Sequence, residues 1–327
     1  VFFTLVNNVV VYIFVGRRYP VLRDWPTRLD RDERRTILAS VRAMTVLRST
    51  GLAMNYATPL LISVIVGTAV LGYYSNYLLL ITSATMLTEA AFSALTPSVG
   101  NLIASKASNA RLVFDEMVLL TNHIYGFMAV GILIFVDDFI ALWLGREFLF
   151  PHYISWIMVL SFYISGTMMP FIAFRSATGL FKKAQWIVLT TAVVSVVLSI
   201  ILGLAWGLVG VLVAPIIARL LTIFWLEPVL LIRLHLHGSL AHYFGNQLLS
   251  FAFWLAIAFT LTAAHHVITL NHVLATVAKV IALALFVPVL LWLVFGRMKA
   301  SRSLAERLLS LFGSRIKNRT QRSDPGQ

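Results

Sequence analysis

The chain has 327 residues, of which 59% are hydrophobic and 12% charged, and its mean hydropathy of +0.87 excludes a water-soluble globular domain. Its 26 Lys and Arg residues against 13 Asp and Glu give a formal net charge of +13, which suits either a nucleic acid or an anionic membrane surface. The chain contains no cysteine, which excludes disulfides, thiolate metal ligands and a cysteine nucleophile.

Hydrophobic segments recur along the whole chain. A membrane-spanning helix needs about 20 apolar residues in succession. We predict nine spans, at 1–16, 51–66, 74–98, 113–136, 151–173, 186–204, 208–230, 246–264 and 273–295. Strand-like alternation and the pattern of an outer-membrane barrel are both missing from the sequence. The predicted fold class is therefore an all-α integral membrane protein, a polytopic helical bundle.

The positive charges lie on one side of the membrane that these spans imply. Five alternate segments hold 23 of the 26 Lys and Arg residues: 17–50, 105–112, 174–185, 231–245 and 296–327. Cytoplasmic loops carry such an excess, so the linker and the C-terminus are predicted to be cytoplasmic. The net charge then faces anionic lipid headgroups, and no nucleic acid is expected as a partner.

The first 50 residues divide into an apolar run and a polar connector. The run Val1–Gly16 begins without an initiator methionine and is short for a span, so we interpret the chain as the C-terminal part of a longer protein. In the connector 17–50, Asp30 followed by Glu33 resembles a capping box at the start of an amphipathic helix. Such a helix suits the inner headgroup layer, and the alternative is a solvated connector.

Five short strings, taken together in this order and spacing, carry a family resemblance. They are Gly72–Tyr77, Ser98–Leu102, Leu142–Glu147, Ala177–Phe181 and Phe224–Pro228. The set resembles the bacterial polysaccharide biosynthesis, or oligosaccharide flippase (Wzx-like), proteins of the MATE-like (MOP-like) exporter superfamily. The resemblance covers about Val1–Gly245. A departure is Ala57-Thr58-Pro59, where members of the family often carry Thr-Asp-Asn.

The resemblance implies a domain organisation. Residues 1–16 would be the last, partial helix of a first lobe, and 17–50 would be a cytoplasmic linker. Residues 51–230 would form a second six-helix lobe. Residues 231–296 would add two C-terminal transmembrane helices, and 297–327 would be a basic cytoplasmic tail.

The resemblance also implies a function. The protein would be a multi-pass protein of the bacterial cytoplasmic membrane that flips an undecaprenyl-pyrophosphate-linked oligosaccharide repeat unit by alternating access. The pathway would be capsule, exopolysaccharide or O-antigen biosynthesis, and the expected partners are the lipid-linked oligosaccharide, membrane lipids, the polysaccharide polymerase and the glycosyltransferases. We expect no enzymatic activity and no cofactor, with H⁺ or Na⁺ coupling left open. The alternatives are a drug or metabolite exporter, a membrane-embedded polymerase or acyltransferase, and a scaffold without transport.

One predicted span contains an acidic residue. Glu89 lies in the middle of 74–98, where a charge at the bilayer centre costs about 2.5–3.5 kcal/mol on insertion scales. It should therefore face a cavity or a partner, as an ion-coupling or sugar-binding carboxylate or as a structural acid. Asn76 and several hydroxyl residues make the same span polar, which favours a wet interior surface.

The span 208–230 contains two charged residues. Arg219 and Glu227 are eight residues apart, which places them on one helix face about 12 Å apart. Arg219 would contact the pyrophosphate or snorkel towards the inner surface. Glu227 precedes Pro228, and we interpret it as a structural residue that ends the helix at the inner surface.

Further basic residues lie near the predicted membrane surfaces. Arg175, Lys182 and Lys183 would gather the anionic headgroup at the inner mouth, or they are simply cytoplasmic loop residues. Lys279 would snorkel to the outer interface or bind an acidic sugar. We interpret Asp137-Asp138 as a solvated helix end. The histidines lack the spacing of a metal site.

Overall fold

The computed structural model describes residues 2–19, 30–93, 96–104, 109–263, 272–304 and 306, and every regular element in these ranges is helical. The helices are α1 Phe2–Arg18, α2 Arg31–Leu61, α3 Thr68–Ser93, α4 Thr96–Ala104, α5 Ala110–Trp143, α6 His152–Gly166, α7 Met169–Thr178, α8 Phe181–Trp206, α9 Leu208–Leu221, α10 Ile223–Leu231, α11 Leu240–Ala263 and α12 His272–Phe295. The predicted all-α fold class is confirmed.

Seven stretches of the described chain are long and apolar enough to cross a membrane. They are 31–66, 110–143, 152–178, 181–206, 208–236, 240–263 and 277–295. The predicted spans at 1–16 and 74–98 are not among these seven. The first corresponds to the 17-residue α1, and the second lies mainly on α3, whose hydroxyl, amide and carboxyl side chains lower its hydropathy. The protein is therefore a multi-pass membrane protein.

The chain divides into two compact units, Val1–Thr45 and Val46–Gln327. The first contains α1 and the beginning of α2. The helix α2 has no break at the predicted boundary between residues 50 and 51, and it continues to Leu61 with Pro59 inside it. A short π-helical turn, Ile62–Val66, then ends at Gly67, whose φ of 126° suits a residue without a side chain.

At the start of α2, the Asp30 carboxylate accepts a hydrogen bond from the N–H of Arg31 at 2.7 Å. Acidic residues in the first turn, Asp32 and Glu33, complement the positive end of the helix dipole. The predicted helix start is therefore present at Asp30, although the capping bond is to the adjacent residue.

The 34-residue α5 is the centre of the second unit. It packs against α3, α6, α7, α11 and α12. Aromatic rings dominate the core around it: Phe114 makes edge-to-face contacts with Phe171 and Phe174 at centroid distances of 5.3 and 5.1 Å. Between α5 and α11, the buried amides of Asn122 and Gln247 exchange two hydrogen bonds of 2.9 and 3.1 Å, so both polar groups are satisfied in an apolar setting.

The helices α8 and α9 form a tight hairpin. Only Gly207, with a φ of 59°, separates the two helices. A Cβ atom on Gly210 would lie 1.9 Å from the Leu202 carbonyl oxygen, so the two backbones approach more closely than any larger residue allows.

Two of the seven membrane-crossing stretches are interrupted helices. The span 152–178 consists of α6 and α7, separated by a turn at Thr167–Met168, with Pro170 in the first turn of α7. The span 208–236 breaks at Thr222, whose φ of −121° and ψ of −88° are not helical, before α10 begins. Proline cannot donate the hydrogen bond that a continuous helix requires, which accounts for the first break.

Candidate functional site

The two interrupted helices lie side by side. The first half of one packs on the first half of the other, α6 on α9, and the second halves pack together as α7 on α10. Breaks in membrane helices leave backbone polar groups outside the regular ladder, and these breaks commonly form substrate sites in transporters. We therefore take this helix pair, 152–178 with 208–231, as the candidate site and call it the broken-helix pair.

One polar contact crosses the first halves of the broken-helix pair. The Nη1 atom of Arg219, in the last turn of α9, donates a hydrogen bond of 3.3 Å to the hydroxyl of Ser161 on α6. Within the described residues, no carboxylate lies at salt-bridge distance from Arg219. The site thus holds a half-buried cation that contacts a hydroxyl and, in the described part of the chain, no carboxylate.

An ion pair crosses the second halves. Nη1 of Arg175 on α7 donates to Oε1 of Glu227 on α10, and the two side chains are only 14% and 4% exposed. The second carboxylate oxygen of Glu227 is buried and has no hydrogen-bond partner among the described residues. The hydroxyl of Tyr243, on α11, is also buried and lies close enough to this carboxylate to interact with it electrostatically. This pair joins α7 to α10 in an apolar environment.

A third contact lies at the break itself. The hydroxyls of Thr222 and Thr191, the latter on α8, are 2.7 Å apart, and the Thr222 hydroxyl also donates to the Ala218 carbonyl at 2.6 Å. Side-chain hydroxyls thereby satisfy groups that the irregular backbone exposes. Specific polar contacts therefore stabilise the break at Thr222.

The structure corrects the geometry predicted for Arg219 and Glu227. They do not share one continuous helix face, because the break at Thr222 separates them, and each contacts a different partner. The prediction that Glu227 ends its helix is wrong, since α10 continues through Pro228 to Leu231. Hydropathy gave no sign of the break because the residues on both sides of it are apolar.

The basic residues predicted at the inner mouth separate into two kinds. Arg175 is paired and largely buried, as described above, whereas Lys182 and Lys183 are exposed in the first turn of α8. Only the two lysines are therefore accessible, in this arrangement, for contact with an anionic headgroup.

The structure does not bring Glu89 or Asn76 to the broken-helix pair. Glu89 is exposed on α3 and Asn76 is half-buried on the same helix. The neighbouring hydroxyls bond to carbonyls of their own helix, and the wet surface expected along this helix stays a prediction. Thr88, next to Glu89, also donates to the Tyr125 hydroxyl at 3.0 Å, which joins α3 to α5.

A second polar group lies at the other end of α6. Asp137 on α5 binds His152 through Nδ1 at 2.6 Å and accepts a hydrogen bond of 2.8 Å from Ser155. The prediction of a merely solvated Asp137 is therefore wrong. Asp138 and Lys279 lie nearby, and these residues line a cavity of about 600 Å³. The sequence contained the signal, two adjacent acids and an intramembrane lysine, but gave no indication that α5 and α12 meet.

These observations define the class of the protein as an all-α, multi-pass membrane protein with polar contacts between interrupted helices. The chain matches no family model, no curated protein and no solved structure.

Proposed function

We propose that this protein is a transporter that flips an undecaprenyl-pyrophosphate-linked oligosaccharide repeat unit across the bacterial cytoplasmic membrane by alternating access. The observation that carries the proposal is the broken-helix pair with the unbalanced cation Arg219. A half-buried charge without a counter-charge among the described residues is costly in a membrane, which favours an anionic ligand at that position.

The chemistry of Arg219 favours a phosphate-bearing ligand. A guanidinium is planar, remains charged in an apolar environment and can donate two parallel hydrogen bonds to phosphate oxygens. Its printed contact uses one nitrogen, Nη1, towards Ser161, which leaves other donor positions on the same group. A pyrophosphate arriving between α6 and α9 would supply the negative charge that the described residues do not provide.

The nature of the substrate comes from the resemblance in the sequence. One of its strings, Phe224–Pro228, lies within α10 of the broken-helix pair and includes Glu227, and another, Ala177–Phe181, begins at the end of α7 and covers the turn to α8. A lipid-linked oligosaccharide, handed on to a polymerase after glycosyltransferases have built it, is therefore the substrate we propose. The proposal involves no covalent chemistry, and H⁺ or Na⁺ would be the coupling ion.

A reconstituted flipping assay tests the proposal. Purified protein is placed in proteoliposomes with a fluorescent undecaprenyl-pyrophosphate-linked oligosaccharide, and translocation is measured by protection from an impermeant reducing agent, with H⁺ and Na⁺ gradients applied separately. Arg219→Ala should slow flipping about 10-fold or more, because a charge-assisted hydrogen bond is worth about 1.5–3 kcal/mol. Arg219→Lys should retain part of the rate, since the charge remains.

The matched control is Arg233→Ala, which removes an exposed arginine from the π-helical turn that follows α10 and should flip at the wild-type rate. An absence of flipping by the wild-type protein under either gradient would contradict the proposed function. Wild-type flipping rates for both Arg219 variants would show that Arg219 does not contribute to transport, and the proposed function would lose its main support.

A further inference from the structure

The cavity at the far end of the bundle from the Arg175–Glu227 pair is built from four helices. It lies where α5 ends and α6 begins, and α11 and α12 complete its wall. Its volume of about 600 Å³ falls within the range of about 300–1,000 Å³ that is usual for small-molecule sites. The polar residues of its lining are Asp137, Asp138, His152, Thr262 and Lys279.

The polar groups of this cavity carry charges of both signs. His152 and Ser155 hold the Asp137 carboxylate, while Asp138 acts electrostatically on Lys279, which is only 6% exposed. The formal charges of Asp137, Asp138 and Lys279 sum to −1, so the cavity offers acceptors and donors close together and disfavours an anionic ligand. A polar ligand with many hydroxyl groups fits this mixture better than a strongly charged one, because each hydroxyl both donates and accepts.

An apolar platform lies beside the polar groups. The rings of Trp156 and Phe259 also line the cavity, and they are in contact with a centroid distance of 4.9 Å. The negatively charged face of an aromatic ring attracts weakly positive C–H groups, such as those on the flat side of a sugar ring. Aromatic rings next to carboxylates thus match the two kinds of surface, apolar and hydroxylated, that a sugar presents.

We propose that this cavity binds a sugar ring of neutral charge. A bare metal ion is a poorer fit, because no group of three or more His, Cys, Asp or Glu residues in the described part of the chain is arranged to hold one. Taking the sugar to be part of the transported oligosaccharide rests on the proposed function, but the binding of a free sugar does not depend on transport.

The experiment measures binding to the purified 327-residue protein in nanodiscs by saturation-transfer NMR. The probes are methyl glucoside and methyl N-acetylglucosaminide, which are neutral, and methyl glucuronide, which is anionic. The neutral glycosides should bind more tightly than the glucuronide. Asp138→Asn, Trp156→Leu and Phe259→Leu should each weaken binding about fivefold or more, which corresponds to the loss of one hydrogen bond or ring contact.

Matched controls keep the result interpretable. Asp115→Asn removes a carboxylate from the opposite end of α5, and Trp186→Leu removes an exposed indole from α8; both should bind as the wild type does. Phe259 is 58% exposed, so its substitution leaves the packed core intact, and the thermal unfolding midpoint checks that every variant is folded.

Three results would overturn the inference: no binding of the neutral glycosides, binding that the folded cavity variants leave unchanged, or preferential binding of the glucuronide. Failure of the flipping assay with localised sugar binding would contradict the proposed function alone. Flipping without localised sugar binding would contradict only the sugar site.

Discussion

At the scale of single residues, the Arg175–Glu227 ion pair is more deeply buried than the Arg111–Asp115 and Asp137–His152 pairs. Both side chains are nearly enclosed, and one carboxylate oxygen of Glu227 already has no hydrogen-bond partner among the described residues. Desolvation makes such a pair costly, and the attraction between the partners offsets that cost only while both are present. The pair therefore holds α7 and α10 together as long as neither charge is removed.

We predict that Glu227→Gln lowers the free energy of unfolding by about 3–5 kcal/mol, because it leaves the Arg175 cation buried without a counter-charge. The double variant Arg175→Met/Glu227→Gln should recover a large part of this loss. Both can be measured by denaturant unfolding in detergent micelles. Equal losses in the single and the double variant would mean that the two residues are not coupled.

The control for this prediction is Asp115→Asn. Asp115 pairs with Arg111 at 3.0 Å within the same helix, and both side chains are about one-fifth exposed. Water reaches this partly buried pair more readily than it reaches Arg175–Glu227, so this substitution should cost less, about 1 kcal/mol. A loss as large as that of Glu227→Gln would indicate that burial is not what distinguishes the two pairs.

Single residues also show where sequence reasoning succeeds and where it fails. The charged residues that matter, such as Arg219 and Glu227, could be selected because a charge within an apolar run is costly wherever it lies. Their partners could not be selected, because Ser161 and Arg175 belong to another helix and nothing in the sequence pairs helices. The prediction that Asp137 is solvated is wrong for the same reason, because its partner His152 belongs to the next helix, beyond an irregular turn.

At the scale of elements, the sequence predicts apolar helices well but does not predict their interruptions. Hydropathy cannot separate α9 from α10, since both are apolar and only one residue divides them. Hydropathy also predicts a boundary where none exists. The polar residues 31–50 and the apolar residues 51–61 differ in hydropathy, yet they belong to one continuous helix, α2. Backbone hydrogen bonding, which hydropathy does not measure, decides both cases.

The α8–α9 hairpin provides a test at this scale. Gly210→Ala should lower the thermal unfolding midpoint, because the added Cβ would lie 1.9 Å from the Leu202 carbonyl oxygen and 2.8 Å from the Gly203 nitrogen, and backbone atoms cannot move aside cheaply. The control is Gly72→Ala on α3, where nothing lies within 4 Å of the new atom. There the gain in helix propensity is about 0.5–1 kcal/mol. A midpoint for Gly210→Ala equal to or above that of Gly72→Ala would show that the hairpin is looser than described.

At the scale of the whole molecule, the distribution of charge gives an orientation that does not depend on α1 or α3. From Ala110 onwards the described chain contains six of the seven membrane-crossing stretches: 110–143, 152–178, 181–206, 208–236, 240–263 and 277–295. Alternation places Arg111, Lys182, Arg233 and Arg302 at one membrane surface. Among the Lys and Arg residues that follow Ala110, Arg146 and Lys279 lie at or near the other surface. The positive-inside rule then predicts that the first surface is cytoplasmic.

The absence of cysteine from the sequence makes this orientation directly measurable, because a single introduced thiol is the only reactive one. We predict that Glu147→Cys and Trp206→Cys react with an impermeant maleimide in intact cells, whereas Lys182→Cys and Arg302→Cys react only after the membrane is opened. All four side chains are exposed, so access to the reagent depends on the membrane side and not on burial. Glu147 and Trp206 lie opposite Lys182 for every topology in which 152–178 and 181–206 each cross the membrane once, and Arg302 lies on the side of Lys182 when 208–236, 240–263 and 277–295 also each cross once. The reverse pattern would place the basic segments outside, against the charge distribution. Labelling of both Glu147→Cys and Lys182→Cys in intact cells would mean that the interrupted segment 152–178 does not cross.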